Sequence, residues 1–338
     1  MALVLVTGGL GFVGARLCGA LLDAGFAVRS VDNLSGTYAP GRGAGAAAPL
    51  RARGAGLAIE DARAAHVRDA EAVIHLASIP GVRSRRAASE LWSANVEPTA
   101  ELARAAAAQG SRFVLISTSS VYGNARELPT PEDAPLAPLG GYAESKVAAE
   151  EAALAQGGDA VIVRPFTVYG PGQRPEMAFA RWIAARAAGE PVPWHAAPGS
   201  ARDFTYVDDA VAGILAALRH GRAGEAYNVS GWRSTSLEEA LASLGAGDVQ
   251  ELPASASEAL VTSGCGRKAA AELGYAPRTD LATGLGRQVA AAIPARPPAS
   301  PGRARAEPSR SGSESSGVVR GSVSPRPAAR PAAATSPG

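Results

Sequence analysis

Through the first 230 residues, short uninterrupted apolar runs alternate with stretches in which apolar residues recur at helical spacing. The runs Leu3–Val6, Ala27–Val31, Ala72–Leu76, Phe113–Ser117, Ala160–Val163 and Ala226–Val229 are rich in aliphatic residues, and Leu57–Ile59 is a weaker one. None alternates with polar residues, the pattern of strands covered on both faces. Helical spacing covers Val13–Ala24, Pro98–Gln109, Tyr142–Ala155 and Val207–Arg219, with Pro98 suited to a first turn. This alternation predicts an α/β fold built on a doubly wound parallel sheet.

After Val163 the regularity lapses. Residues 166–206 and 231–293 hold Pro, Gly and Trp in irregular settings, and they predict a smaller C-terminal substrate-binding lobe. Helices are expected in it near Glu176–Ala188 and Leu237–Leu244, while residues 207–230 return to the sheet domain of residues 1–165. Residues 37–56 are small and loop-like, and no element is expected there. Residues 294–338 carry seven Arg against two Glu, nine prolines and no aromatic residue. Such a segment buries too little apolar surface to offset its chain entropy, so a disordered tail is expected.

Composition narrows the class. The 338 residues, 46% hydrophobic and 19% charged, suffice for one large or two ordinary domains. A net charge of +2 gives no reason to expect nucleic acid as a partner. No apolar run reaches 18 residues, and the N-terminus has no basic leader segment, so a cytoplasmic protein without a membrane span is expected. Two cysteines, Cys18 and Cys265, make neither a disulfide framework nor a zinc cage and read as small core residues.

The first strand runs into Val6-Thr7-Gly8-Gly9-Leu10-Gly11-Phe12-Val13-Gly14. Glycines between a strand and a helix let the backbone turn tightly and approach a pyrophosphate at the helix start, the signature of a Rossmann-type dinucleotide site. Asp32 ends the second strand about twenty residues on, where a carboxylate accepts hydrogen bonds from the ribose hydroxyls of NAD and repels the extra phosphate of NADP. Asp61-Ala62 falls where adenine would lie, and His75-Leu76-Ala77-Ser78 ends the fourth strand, with His75 read as a structural residue. Tyr142-Ala143-Glu144-Ser145-Lys146 places a phenol and an ammonium on one helical face. A nearby cation favours the phenolate, which makes Tyr142 a candidate general base. Ser117-Thr118-Ser119-Ser120-Val121-Tyr122-Gly123 follows the fifth strand, at a strand end where ligands gather.

These motifs, in this order, resemble the extended short-chain dehydrogenase/reductase family of NAD-dependent nucleotide-sugar epimerases and dehydratases over about residues 2–290. Asn95-Val96-Glu97-Pro98-Thr99 resembles the family's N-V-x-G-T helix entry, with Pro98 in place of glycine. The resemblance implies a catalytic set of Thr118, Tyr142 and Lys146. It implies NAD contacts from Gly8, Gly11, Phe12, Val13, Gly14, Asp32, Asn33, Ser35, Gly36, Asp61, Ala62, Leu76, Ala77, Ser78, Tyr142, Lys146 and Pro165, and a homodimer.

Within that family, sugar dehydratases typically carry T-D-E-V-Y-G and decarboxylases T-S-E-V-Y-G, whereas this chain has Thr118-Ser119-Ser120 with no carboxylate. The segment Phe166-Thr167-Val168-Tyr169-Gly170 through Arg174-Pro175-Glu176-Met177-Ala178 looks like that of UDP-glucuronate 4-epimerases, where the matching Thr and Arg hold the sugar carboxylate. A guanidinium suits a carboxylate because the two form a bidentate, charge-assisted pair. By the same resemblance Arg202 binds the diphosphate, Arg83, Ser119 and Ser120 are further substrate contacts beside Thr118, and UDP-glucuronate is the expected substrate. UDP-glucose 4-epimerisation, decarboxylation and a non-catalytic NAD-binding role are the alternatives. The turn before Arg202 and the segment near 252–258 depart from the family pattern; Arg267 is a substitute phosphate clamp by residue type only, and Trp194 and Trp232 are expected in the core.

Overall fold

The computed structural model describes residues 1–35, 42–81, 86–245 and 247–292. Gly36, Arg83 and the 294–338 tail lie outside the described residues. The strands of the sheet domain are β1 (Leu3–Thr7), β2 (Ala27–Val31), β3 (Gly56–Ala58), β4 (Ala72–His75), β5 (Arg112–Ile116) and β6 (Ala160–Pro165). The intervening helices are α1 (Phe12–Asp23), α2 (Arg42–Ala52), α3 (Ala88–Asn95), α4 (Glu97–Gln109) and α5 (Gly141–Leu154). Beyond them come β7 (Thr167–Tyr169), α6 (Ala178–Ala188), β8 (Val192–Trp194), β9 (Ala201–Tyr206), α7 (Val207–His220), β10 (Ala226–Val229), β11 (Ser234–Ser236), α8 (Leu237–Ser243), β12 (Val249–Glu251) and α9 (Leu281–Ala292).

Seven strands form one parallel sheet in the order β3-β2-β1-β4-β5-β6-β10. The apolar runs explain it: Val4, Leu5, Val6, Val73, Ile74, Val114 and Leu115 are buried, so helices must cover both faces. One face packs α1, α2 and α7 around Leu17, Leu21, Leu50 and Ile214. The other packs α4 and α5 through Leu102, Ala106, Ala149 and Ala153. After β1 the chain goes outward to β2 and β3, then returns to the opposite side of β1 as β4. This reversal opens a crevice beyond the carboxyl ends of β1 and β4, the place where open α/β sheets bind ligands.

Residues outside the main sheet make a three-stranded sheet β11-β9-β7 and a pair β12-β8, around an aromatic cluster of Tyr169, Phe179, Trp182, Phe204 and Tyr206. Three of those rings meet Tyr169 edge-on, an arrangement favoured by the ring quadrupoles.

Two expectations need correction. Residues 42–52 form a helix where a loop was expected; its alanines favour helix, and Ala47 and Leu50 are buried against the sheet, which outweighs Pro49 in its interior. Trp232 is not a core residue: it is 45% exposed and has φ +63°. Trp194, by contrast, stacks on Trp182 at 5.6 Å.

Candidate active site

A cleft of about 1310 Å³ runs from the β1–β4 crevice to the aromatic cluster, larger than a site for one drug-sized molecule. Its sheet end begins with the glycine loop. Gly8 has φ +69°, which favours glycine, and a Cβ there would press on the backbone of Ala77 at 2.9 Å. A Cβ on Gly14 would strike the Gly8 carbonyl, so α1 packs against the loop only with glycine at that position. No side chain caps the start of α1, which faces the cleft with the backbone N–H groups of its first turn.

Asp32 lies at the rim, its carboxylate accepting from Leu10 N–H and Leu34 N–H, both at 2.9 Å. Each oxygen keeps a second lone pair for a ligand hydroxyl. Beside it the Asn33 amide donates to Asp61 at 2.7 Å, joining the loops that follow β2 and β3.

Under the crevice runs a directed chain of hydrogen bonds. Thr99 donates its hydroxyl to Asn95 O at 2.7 Å, so its oxygen accepts from His75 Nε2–H at 3.0 Å. His75 Nδ1 therefore accepts from the Thr7 hydroxyl at 2.6 Å, and Thr7 in turn accepts Ala77 N–H at 3.2 Å. Burial, then the nearby Lys146 ammonium, pushes the imidazole down to about 3, so His75 is neutral and structural.

The hydroxyl and phenol groups gather at the end of β5. Thr118 caps the 3₁₀ turn Ser119–Tyr122 by accepting Ser120 N–H at 3.2 Å. Its hydroxyl donates to Ser120 Oγ at 3.2 Å, and the phenol of Tyr142, from the first turn of α5, lines the same part of the cleft. Burial pushes the Tyr142 phenol up, opposed first by the Arg174 guanidinium and then by Thr118. Lys146 is buried, and its ammonium donates to Ile116 O at 2.8 Å. Burial pushes Lys146 down to about 8, while Glu150 one turn further along α5 pulls it upward.

All the sequence-selected site residues within the described regions line this one cleft, except Lys146, which sits beneath its floor. Thr167 and Arg174 face it from the segment after β6, and Arg202 from β9. The Arg174 guanidinium pairs with Glu176 at 2.9 Å, and Arg202 with Glu258 at 3.2 Å. Arg267 lies elsewhere, against Cys265 Sγ at 3.3 Å, so it is no phosphate clamp in this cleft. The sequence reading missed Arg181, His195 and Glu258 on the same walls: Arg181 sits on the expected helix near Glu176–Ala188, whose cleft-facing side depends on tertiary packing, and His195 and Glu258 come from irregular segments. It also missed Glu150, although the position four residues after Lys146 marks the same buried helical face. Among the described residues no cluster of His, Cys, Asp and Glu suits a metal ion, and no helix is long and apolar enough to cross a membrane.

The sequence pattern of the NAD dependent epimerase/dehydratase family matches residues 4–230. The chain belongs to this family. It is 34% identical over 304 residues to a dTDP-glucose 4,6-dehydratase of Streptomyces griseus, covering 85% of this chain and 93% of the relative. It is 32% identical over 321 residues to UDP-glucuronate 4-epimerase 1 of Arabidopsis thaliana, covering 83% and 74%. Among solved structures, the UDP-glucuronic acid 4-epimerase of Bacillus cereus in complex with UDP-glucuronic acid and NAD superposes with a TM-score of 0.81 at 31% identity, covering 86% and 98%. As a member of the epimerase/dehydratase family the protein is an NAD-dependent enzyme, and the cradle of glycines, open helix start and rim carboxylate fits that dinucleotide.

Proposed function

We propose that the enzyme interconverts UDP-glucuronate and UDP-galacturonate by 4-epimerisation. The observation that carries the reading is the Arg174 guanidinium in the cleft facing Tyr142, with Thr167 on the same wall. A cation in that place can hold a sugar carboxylate close to the carbon being inverted. Ser119 and Ser120 support it: a dehydratase needs an acid/base pair to eliminate the 6-hydroxyl, worth about 10²–10⁴-fold, and these positions supply only hydroxyls.

Residues Gly8 to Gly14 and Leu76 to Ser78 would cradle the dinucleotide, Asp32 its ribose, and Pro165 the nicotinamide end. Bound there, NAD would supply the acceptor and donor for the hydride of the sugar C4. Tyr142 as phenolate takes the proton of the 4-hydroxyl, and Thr118 holds that oxygen in line. Lys146, charged beneath the phenol, stabilises the phenolate. The 4-keto sugar then turns in the cleft, so that hydride would return to the opposite face of its C4, and Tyr142 gives its proton back to the C4 oxygen. Arg202 holds the diphosphate throughout and so keeps the sugar from leaving.

The test is incubation with UDP-glucuronate, UDP-glucose and dTDP-glucose, with products identified by NMR. UDP-galacturonate is the expected main product. A 4-keto-6-deoxy sugar from dTDP-glucose as the main product would replace this reading with dehydration.

A further inference from the structure

Two consecutive residues at the end of β5 each hold a different residue of α5, and the next, Thr118, lines the cleft with a third. The Ile116 carbonyl accepts from the Lys146 ammonium at 2.8 Å. The Ser117 hydroxyl donates to the Glu150 carboxylate. Thr118 lines the cleft with Tyr142 and draws its phenol toward ionisation. Tyr142, Lys146 and Glu150 stand four residues apart, one above another on a single helical face. The Tyr142 and Lys146 contacts belong to the proposed chemistry. The Glu150 contact is farther from the cleft, which Glu150 does not line.

Glu150 is nonetheless the most heavily built of the three. Its side chain is 4% exposed and accepts from Arg164 at 2.7 Å, with further contacts to the same guanidinium at 3.1 and 3.2 Å. Arg164, on β6, also donates to the Tyr122 hydroxyl at 2.8 Å and to Glu132 O at 2.9 Å. The Tyr122 hydroxyl donates to Asn228 Oδ1 at 2.8 Å, so the network spans β5, β6, β10 and α5. A buried ion pair is poor evidence of stabilisation, because well-packed apolar residues of similar volume serve as well. Its presence one helical turn from a buried ammonium asks for another reason.

We propose that Glu150 is a positioning residue for the Tyr142–Lys146 pair: clamped between Ser117 and Arg164, it fixes the register of α5 on the end of β5 and sets a carboxylate facing the Lys146 ammonium. The assignment rests on the reading of Tyr142 and Lys146 as the base and its cation. The charges around Lys146 make Glu150 its counter-ion. On its own helix it faces the neutral phenol of Tyr142 and the Glu150 carboxylate; from β4 it faces His75, which is neutral. Arg164 from β6 is engaged by Glu150, and Tyr122 and Glu132 lie beyond Arg164. The Arg174 guanidinium, in the cleft, acts on Tyr142.

The sequence itself provides the measurement, because it holds two lysines, Lys146 and Lys268. Protein labelled with ¹³C at lysine Cε therefore gives two side-chain signals, and Lys268, paired with Glu225 at 2.6 Å, is the internal control. In Glu150→Gln the Lys146 titration midpoint should fall by about one to two pH units, with Lys268 unmoved. Glu150→Asp, which keeps the charge, should stay within about half a unit of wild type. Should Glu150→Gln fail to fold, Glu150→Gln with Arg164→Met removes both buried charges and should move Lys146 in the same direction. A Lys146 midpoint that stays at its wild-type value in a folded variant overturns the proposal. The alkaline limb of the kcat profile should follow the NMR midpoint, with KM changing less. A midpoint that moves without the kcat limb supports the Glu150–Lys146 coupling and removes Lys146 from the proposed mechanism.

Discussion

The Arg174 guanidinium faces the Tyr142 phenol and is the largest influence drawing that phenol back toward ionisation against its burial. The two residues reach the cleft from different elements, Tyr142 from the first turn of α5 and Arg174 from the segment before α6. One guanidinium can therefore bear on the base and on the substrate carboxylate together. Placing the carboxylate beside Tyr142 also matters chemically. A 4-keto uronic acid is a β-keto acid and loses CO₂ when its carboxylate bond aligns with the carbonyl π system. Directional hydrogen bonds from Arg174 and Thr167 would hold it out of that alignment while the ring turns.

Arg174→Ala should lower kcat/KM for UDP-glucuronate by a cost on the order of 2–5 kcal/mol, the loss of a charge-assisted pair. Arg174→Lys should fall in between, since an ammonium keeps the charge without the planar fork. UDP-glucose has no carboxylate and should be affected much less. Kinetics on both substrates, with mass spectrometry for a UDP-pentose product, check this; equal losses on both would sink the clamp.

Tyr142→Phe removes the phenol and keeps the ring. NAD and nucleotide-sugar binding, followed by calorimetry, should survive, and kcat should drop by at least about 10²-fold. Near-normal turnover would take the base role from Tyr142.

The parts legible in the sequence are those where chemistry and periodicity coincide. Apolar runs marked the parallel sheet, and Gly8 to Gly14 marked the crevice because glycines between strand and helix have few other uses. Tyr142 and Lys146 could be paired because a helix has a fixed repeat. The structure adds that Lys146 reaches the Ile116 carbonyl beneath the cleft floor, a contact across elements that no local spacing specifies. The helix at 42–52 escaped notice because Gly and Pro punctuate it, and only burial of Ala47 and Leu50 against the sheet decides the matter. Arg181 and His195, 3.0 Å apart on the cleft wall, come from α6 and the turn after β8, whose meeting depends on tertiary packing.

Lys146 lies at about 8, pushed down by burial. Below that pH it is an ammonium and supports the Tyr142 phenolate; above it the charge is lost. The kcat profile should therefore decline on its alkaline side from near pH 8, well below the ordinary lysine range. Rates from pH 6 to 10 with NAD saturating check this, and a profile that stays flat to pH 10 would contradict it.

Asp203 offers a prediction about stability instead of turnover. Fully buried beside Arg202, it accepts Gly231 N–H at 2.6 Å and Gly264 N–H at 3.0 Å, tying β9 to the residues after β10 and to the 262–264 segment. Burial outweighs these two donors and raises its carboxyl from 3.8 to about 7. Between those two values the unfolded chain has released this proton and the folded protein still holds it. The folded state binds more protons there, so the Asp203 contribution is fully present below about pH 4 and is lost as pH rises through about 7. Asp203→Asn cannot titrate. The stability of wild type relative to Asp203→Asn, from urea unfolding at a series of pH values, should therefore fall between pH 4 and 7 by on the order of 2–4 kcal/mol and stay level above that. Taking the difference cancels the opposite trend of Lys146, which is common to both proteins. A difference that grows with pH would mean that the two backbone donors hold Asp203 ionised in the folded protein.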